Sequence, residues 1–297
     1  MFFDYIMAEK ALHDKYSIQD LPMSILDQIK REDIEDYLEY LSLYKNQAEE
    51  EVMNEERGKN RKLASLRSFY NFYFTNELID TNPAALVKMP KLHDKEIIRL
   101  DTNEVAILLD QVEDGTKLTQ KQLQYHDKTK VRDVALLTLL LGTGILVSEC
   151  VGLDIQYVDF YNMGIKVRRK GGYEDIVYFG EEVNTALLTY LEQRKHIIPL
   201  SGHENALFLS MQNRRITVRS VENLVKKYAR LVNNLKKITP HKLRSTYGTT
   251  LYQETGDIYL VADVLGHKDV NTTRKHYAAL EDERRRRAAK VVKLRDV

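Results

Sequence analysis

Apolar positions recur at helical spacing through most of the chain, so the elements they predict are mainly helices. In "SILDQIKREDIEDYLEYLSLY", Ile25, Ile29, Ile34, Tyr37, Leu38 and Leu41 fall near one helical face. "RKLASLRSFYNFYFTNELI" is clearer: Leu63, Leu66, Phe69, Tyr70, Tyr73 and Phe74 stand at i, i+3, i+6, i+7, i+10 and i+11. Those aromatics read as the core of a small bundle. "DTNPAALVKMPKLHDKEIIRL" then carries Pro83 and Pro90 without a sustained period, which marks a connection between two domains. The second part opens with "DTNEVAILLDQV", where Thr102 or Asn103 is the expected N-cap. An apolar helix, "RDVALLTLLLGTG", is stopped by Gly142 and Gly144.

The period then shifts to two. In "GIKVRRKGGYEDIVYF", Ile165, Val167 and Arg169 alternate on one arm of a hairpin and Ile176 to Phe179 form the other, with Gly171-Gly172 at the turn. Helical patterns resume at "TALLTYLEQRK" and "SVENLVKKYARLVNNL". The C-terminal "EDERRRRAAKVVKLRDV" reads as a last helix, with Ala288, Ala289, Val292 and Leu294 as its apolar strip. The fold class is mainly α with a small β-sheet. The expected division is a helical domain over 1–90, a linker over 91–100 and a second domain over 101–297.

The chain of 297 residues is long enough for two cores. Its 43% hydrophobic and 30% charged content describe a soluble globular protein, and no apolar run reaches the roughly 18 residues of a membrane span. The start "MFFDYIMAEK" lacks the basic flank and cleavage site of a signal peptide. Cytoplasmic residence is therefore expected, with no membrane partner. A single cysteine, Cys150, excludes an internal disulfide and a multi-cysteine metal site. The net charge of +1 conceals a split. Residues 1–99 hold 14 Lys/Arg against 19 Asp/Glu, and residues 100–297 hold 31 against 25. The basic side chains Arg57, Lys59, Arg61, Lys62 and Arg67 gather on one predicted helix, either as a solvated face or as one that tracks phosphates.

Three further stretches bear chemistry. "TPHKLRSTYGT" sets His241 and Arg244 three apart on one helix face. "VLGHKDVNTTRKHYAAL" holds His267 and, ten residues on, Tyr277. Lys170 stands directly before the hairpin turn. Each alone is weak, since a lone His is more often a satisfied structural residue and Tyr277 is one of 18 tyrosines.

Taken in order, these stretches resemble the tyrosine recombinase family of phage-type integrases and Xer recombinases, over nearly the whole chain. The resembling motifs are Gly142-Thr143-Gly144 with Ser148-Glu149, the hairpin Lys170, His241 with Arg244, Leu265-Gly266-His267, and Tyr277. The resemblance implies a helical core-binding domain joined to an α+β catalytic domain. It also implies a double-stranded DNA partner with inverted half-sites, and a homotetramer on that DNA. Tyr277 would form a covalent 3′-phosphotyrosine, conserving bond energy without ATP. Arg244 would clamp the phosphate with its planar donor fork. Lys170 would protonate the leaving 5′ oxygen, with His241 and His267 donating hydrogen bonds or shuttling protons. That chemistry needs no metal and no cofactor.

Two departures stand out. The family's first catalytic arginine falls at Leu146, a position fixed by Gly142-Thr143-Gly144 on one side and Ser148-Glu149 on the other. Leucine has no donor, and losing one such donor costs a factor of about 10²–10³ in rate. A natural or engineered inactivating change, a sequence error and a packing role are the readings of Leu146. Relative to the family pattern the chain also starts inside its first helix, so an N-terminally truncated core-binding domain is expected. The C-terminal helix either packs on its own domain or, as in related recombinases, on a neighbouring protomer. Three functions follow from the sequence. The first is a site-specific recombinase impaired by Leu146, the second a catalytically inactive DNA-binding member of the family. The third, a type IB topoisomerase, shares the constellation, but the linker and C-terminus are Xer-like.

Overall fold

Leu63, Leu66 and Tyr70 lie at 0%, 8% and 0% exposure, so the clearest apolar stripe of the sequence is the core of the first unit. In this computed structural model the chain divides into two units, Met1–Lys95 and Glu96–Val297. The described residues are 1–45, 49–91, 98–169, 171–267, 269, 270 and 273. Lys170, Tyr277 and the C-terminal segment read as a last helix lie outside them.

The first unit contains α1 (Phe2–Glu9), α2 (Ser24–Gln28), α3 (Arg31–Tyr40), a short hairpin of β1 (Tyr44–Lys45) and β2 (Glu51–Val52), α4 (Glu56–Thr75) and α5 (Pro83–Leu86). The apolar run from Ile25 to Leu41 is two helices. Ile29 and Lys30 are extended, and the Lys30 N–H donates to the Asp33 carboxylate at 2.7 Å, starting a new helix there. Phe74 departs from its expected core role. It stands on the last turn of α4 and is 45% exposed, so the stripe leaves the core as the helix ends. Pro83 opens α5, where a missing N–H is harmless, and the Asn82 side chain accepts from the Ala85 N–H at 3.2 Å. Ala84 and Val87 are buried in the same core, so this stretch belongs to the first unit.

The second unit runs α6 (Thr102–Asp114), α7 (Gln120–Thr143), α8 (Val147–Gly152), β3 (Val158–Asp159), β4 (Gly164–Arg168), β5 (Glu174–Tyr178), α9 (Glu181–Arg194), α10 (Val218–Val232), α11 (Pro240–Thr255) and α12 (Ile258–Val264). The N-cap of α6 is Asp101, one residue before Thr102 and two before Asn103, the expected caps. Glu104 fixes it by accepting the Asp101 N–H at 2.9 Å, and Lys236 closes on Glu104 at 2.6 Å. Helix α7 is the hub, with Leu136, Leu137, Leu139 and Leu140 all at 1% exposure or less, and it packs on α6, α9 and α11. Gly142 lies within this helix and does not stop it. A Cβ there would sit 2.5 Å from the Val183 side chain, so glycine permits the close approach of α9. The helix ends instead at Gly144, in the left-handed region at φ +63°.

The hairpin of the sequence reading is present, extended by a third strand. The antiparallel order is β3-β4-β5, with Ile165 opposite Val158 on one side and Val177 on the other. Ile165, Val167 and Val177 face the core while Lys166, Ile176 and Tyr178 are exposed, the alternation of a sheet covered on one face.

A buried polar network ties α7 to α10. Asp133 accepts from Thr129 Oγ1 at 3.0 Å, from Arg132 Nε at 2.9 Å and from Tyr228 Oη at 3.3 Å, and Tyr228 Oη also meets His126 Nδ1 at 3.1 Å. Burial, followed by the Asp133 charge, keeps the Tyr228 phenol protonated. Tyr228→Phe keeps the ring and takes the partner from buried His126 Nδ1, while Asp133 keeps Thr129 and Arg132, so it is expected to destabilise by about 1–3 kcal/mol. Calorimetry should then show the melting temperature lower by about 2–4 °C per kcal/mol. An unchanged melting temperature would mean the network finds other partners. Among the described residues no helix is long and apolar enough to cross a membrane.

Candidate active site

Gly144 turns the chain out of α7 under two constraints. Its φ is positive, and a Cβ there would meet the Tyr247 ring at 2.5 Å and Leu265 at 3.0 Å. Two residues later Leu146 is the N-cap of α8, half-buried, with φ −69° and ψ 147°. Leucine offers no oxygen to the helix end. The cap is made from the other direction, with the Leu146 N–H donating to Glu149 Oε2 at 2.8 Å.

Two arginines hold this loop to one neighbouring turn. Arg244, at 6% exposure on α11, donates from Nη1 to the Gly144 carbonyl at 2.6 Å and from Nη2 to the Leu265 carbonyl. Arg169, at 5% exposure, donates from Nη1 to both Glu149 oxygens at 3.3 and 3.2 Å, from Nε to Asp175 at 3.1 Å and from Nη2 to the Val264 carbonyl at 3.3 Å. The loop 144–149 is therefore anchored at both ends to consecutive residues, 264 and 265. Gly266 follows at φ +64° and then His267, half-buried, whose Nδ1 lies 2.7 Å from Thr273 Oγ1.

His241 is in the first turn of α11, one turn before Arg244, and its ring is solvent-accessible. Partial desolvation, then the charges of Lys242 and Arg244, hold its pKa below the ordinary histidine value, so the neutral ring dominates at pH 7. Burial, followed by the Glu149 charge, pushes the Cys150 thiol up to about 12, which removes it as a thiolate nucleophile. Burial also raises the Tyr247 phenol, whose ring packs over Gly144.

Of the sequence-derived site residues, the structure brings together Leu146, Arg244 and the turn leading to His267, with His241 on the same helix as Arg244. Arg169 and Glu149 were not read as site residues. The available signal was the alternation of Ile165, Val167 and Arg169, which set a charge on the core face. The basic helix α4 is less uniform than its sequence. Arg57 and Arg61 are exposed, Lys59 pairs with Glu56 at 3.4 Å, and Lys62 Nζ lies 2.9 Å from Met1 Sδ. Arg67 is part-buried: its Nε donates to the Ala84 carbonyl at 3.1 Å and its Nη2 reaches the Val87 carbonyl at 2.5 Å, so it ties α4 to α5.

Comparison with known proteins follows the same lines. The profile of the phage integrase family matches residues 99–284. The chain belongs to this family. Tyrosine recombinase XerC of Thermodesulfovibrio yellowstonii is 36% identical over 217 residues, 72% of this chain and 68% of that protein. XerC of Caldanaerobacter subterraneus subsp. tengcongensis is 33% identical over 280 residues, 93% of this chain and 72% of the relative. Among solved structures, the XerH site-specific recombinase bound to palindromic difH substrate in a post-cleavage complex superposes with a TM-score of 0.67. That match has 17% identity and covers 95% of this chain and 76% of the other, a likeness of fold. The protein is an Xer-like tyrosine recombinase. In this recombinase Leu146 stands on a loop that Arg244 and Arg169 anchor at its two ends.

Proposed function

We propose that this recombinase binds duplex DNA at inverted half-sites, assembles there as a homotetramer and exchanges strands through a phosphotyrosine at Tyr277. The Tyr277 oxygen attacks phosphorus and the bond to the 5′ oxygen breaks. Lys170 gives that oxygen its proton, and the 3′-phosphotyrosine is later attacked by a 5′-hydroxyl from the partner strand. Arg244 holds the phosphate, with His241 and His267 donating to its oxygens. The observation that carries this reading is the pairing of Arg244 with the 144–149 loop and the turn before His267. DNA as partner is supported by the XerH complex, which is bound to its difH substrate.

The second reading, a DNA-binding member that does not cleave, rests on Leu146, which places no guanidinium where the family has one. Both readings share the binding step. The test starts from a duplex selected by this protein out of a randomised library. Affinity for it should exceed that for a scrambled duplex and fall steeply with salt, by about 10³–10⁵ between 50 and 200 mM for six to ten phosphate contacts. A nicked suicide version of the duplex should trap a covalent adduct that peptide mapping assigns to Tyr277. Equal affinity for both duplexes, or an adduct on Tyr247 or Tyr259, would overturn the assignment.

A further inference from the structure

Strand alternation carries Arg169 to the buried face of the hairpin, one residue past the end of β4. There it meets two carboxylates and a carbonyl from three separate segments: Glu149 of α8, Asp175 of β5 and the Val264 carbonyl at the end of α12. Each guanidinium nitrogen has a protein acceptor. The group also lies flat against Gly266, where a Cβ would come within 3.0 Å of its Cζ and Nε. One oxygen, Glu149 Oε2, accepts from both Arg169 Nη1 and the Leu146 N–H. Arg169 is thus linked through a single atom to Leu146, the residue that stands where the family has its arginine. It is tempting to make it the replacement cation. All three of its nitrogens are already engaged by protein acceptors, which points the other way.

We infer that Arg169 is a positioning residue. It holds the Leu146 loop, β5 and the turn before His267 in one register, and it touches neither DNA nor the scissile phosphate. A planar fork is needed because the acceptors lie in three directions, which the point charge of a lysine does not serve. Without it, Glu149 keeps a buried carboxylate at 7% exposure and loses its cation, so the cap on Leu146 loosens with it. The expected rate effect rests on the strand-cleavage reading, whereas the structural effect rests on the contacts alone.

Amide hydrogen exchange on the full-length Arg169→Met protein reads the structural effect without any substrate. Peptides covering 144–150, 173–178 and 261–267 should exchange about tenfold faster than in the parent, with those of α9 and α10 unchanged. Unchanged exchange in the three segments would overturn the inference. Single-turnover cleavage of the selected duplex, in the Leu146→Arg background, reads the rate effect. Arg169→Met should slow cleavage about tenfold or more, the scale of losing an orienting partner, while the Kd for the duplex stays within about threefold. Arg169→Lys should fail to restore the rate, and adding Glu149→Gln to Arg169→Met should slow it little further, because the two act as one unit. A Kd that rises in step with the rate loss, or rescue by lysine, would instead make Arg169 a DNA contact and sink the proposal. If the Leu146→Arg protein cleaves nothing, the strand-cleavage reading fails, and exchange alone decides the role of Arg169.

Discussion

Leu146→Arg is expected to raise the rate of DNA cleavage by at least about 10²-fold, the scale of one charge-stabilising donor at a reacting phosphate. The backbone needs no rearrangement to receive it. Leu146 already has the extended φ and ψ of an N-cap, its N–H is held by Glu149, and the loop is fastened at Gly144 and Glu149 to residues 265 and 264. Affinity for the selected duplex should change far less than the rate, because backbone contacts spread over the whole footprint carry binding. Both proteins are compared in a single-turnover assay at saturating DNA. If the parent already cleaves as fast as the Leu146→Arg protein, the loop does not limit the reaction and another cation stabilises the phosphate.

The candidate site was legible in the sequence where a motif fixes a backbone role. Gly144 shows this: the break after an apolar helix is visible in the letters, and the structure finds there both a positive φ and a ring against the missing Cβ. The pairing of His241 with Arg244 was readable from helical spacing alone. What the letters did not supply is the acceptor of a part-buried arginine. On the α4 wheel Arg57 and Arg61 fall together while Arg67 flanks the Leu63–Tyr70 stripe, but only the fold shows that it lies over the α4–α5 junction, at the Ala84 and Val87 carbonyls. Arg169 was equally ambiguous, because its acceptors come from residues 149, 175 and 264, and no local pattern links segments so far apart in the chain. Helix ends moved for a similar reason. Thr102 and Asn103 have good capping side chains, but the Glu104 carboxylate reaches back one residue further, to the Asp101 N–H.

Arg244→Ala should act in the opposite direction and on two observables together. In the Leu146→Arg background it is expected to lower the cleavage rate by about 10²–10³, since the phosphate loses its second guanidinium. It should also destabilise the fold, which Leu146→Arg should not. The Gly144 carbonyl and the Leu265 carbonyl are both buried, and each loses the donor that joins the loop to the turn. A stranded buried acceptor costs about 1–3 kcal/mol, so the melting temperature should fall by about 2–4 °C for each kcal/mol lost. Arg244→Lys separates the two roles. It retains a positive charge but lacks the fork that reaches Gly144 and Leu265 together, so stability should fall nearly as far as with alanine. Cleavage is measured well below the melting temperature of the weakest variant, so that unfolding does not enter the rate. If Arg244→Ala melts early yet cleaves at the parental rate, Arg244 is a structural tie only, and the phosphate must be held by another group.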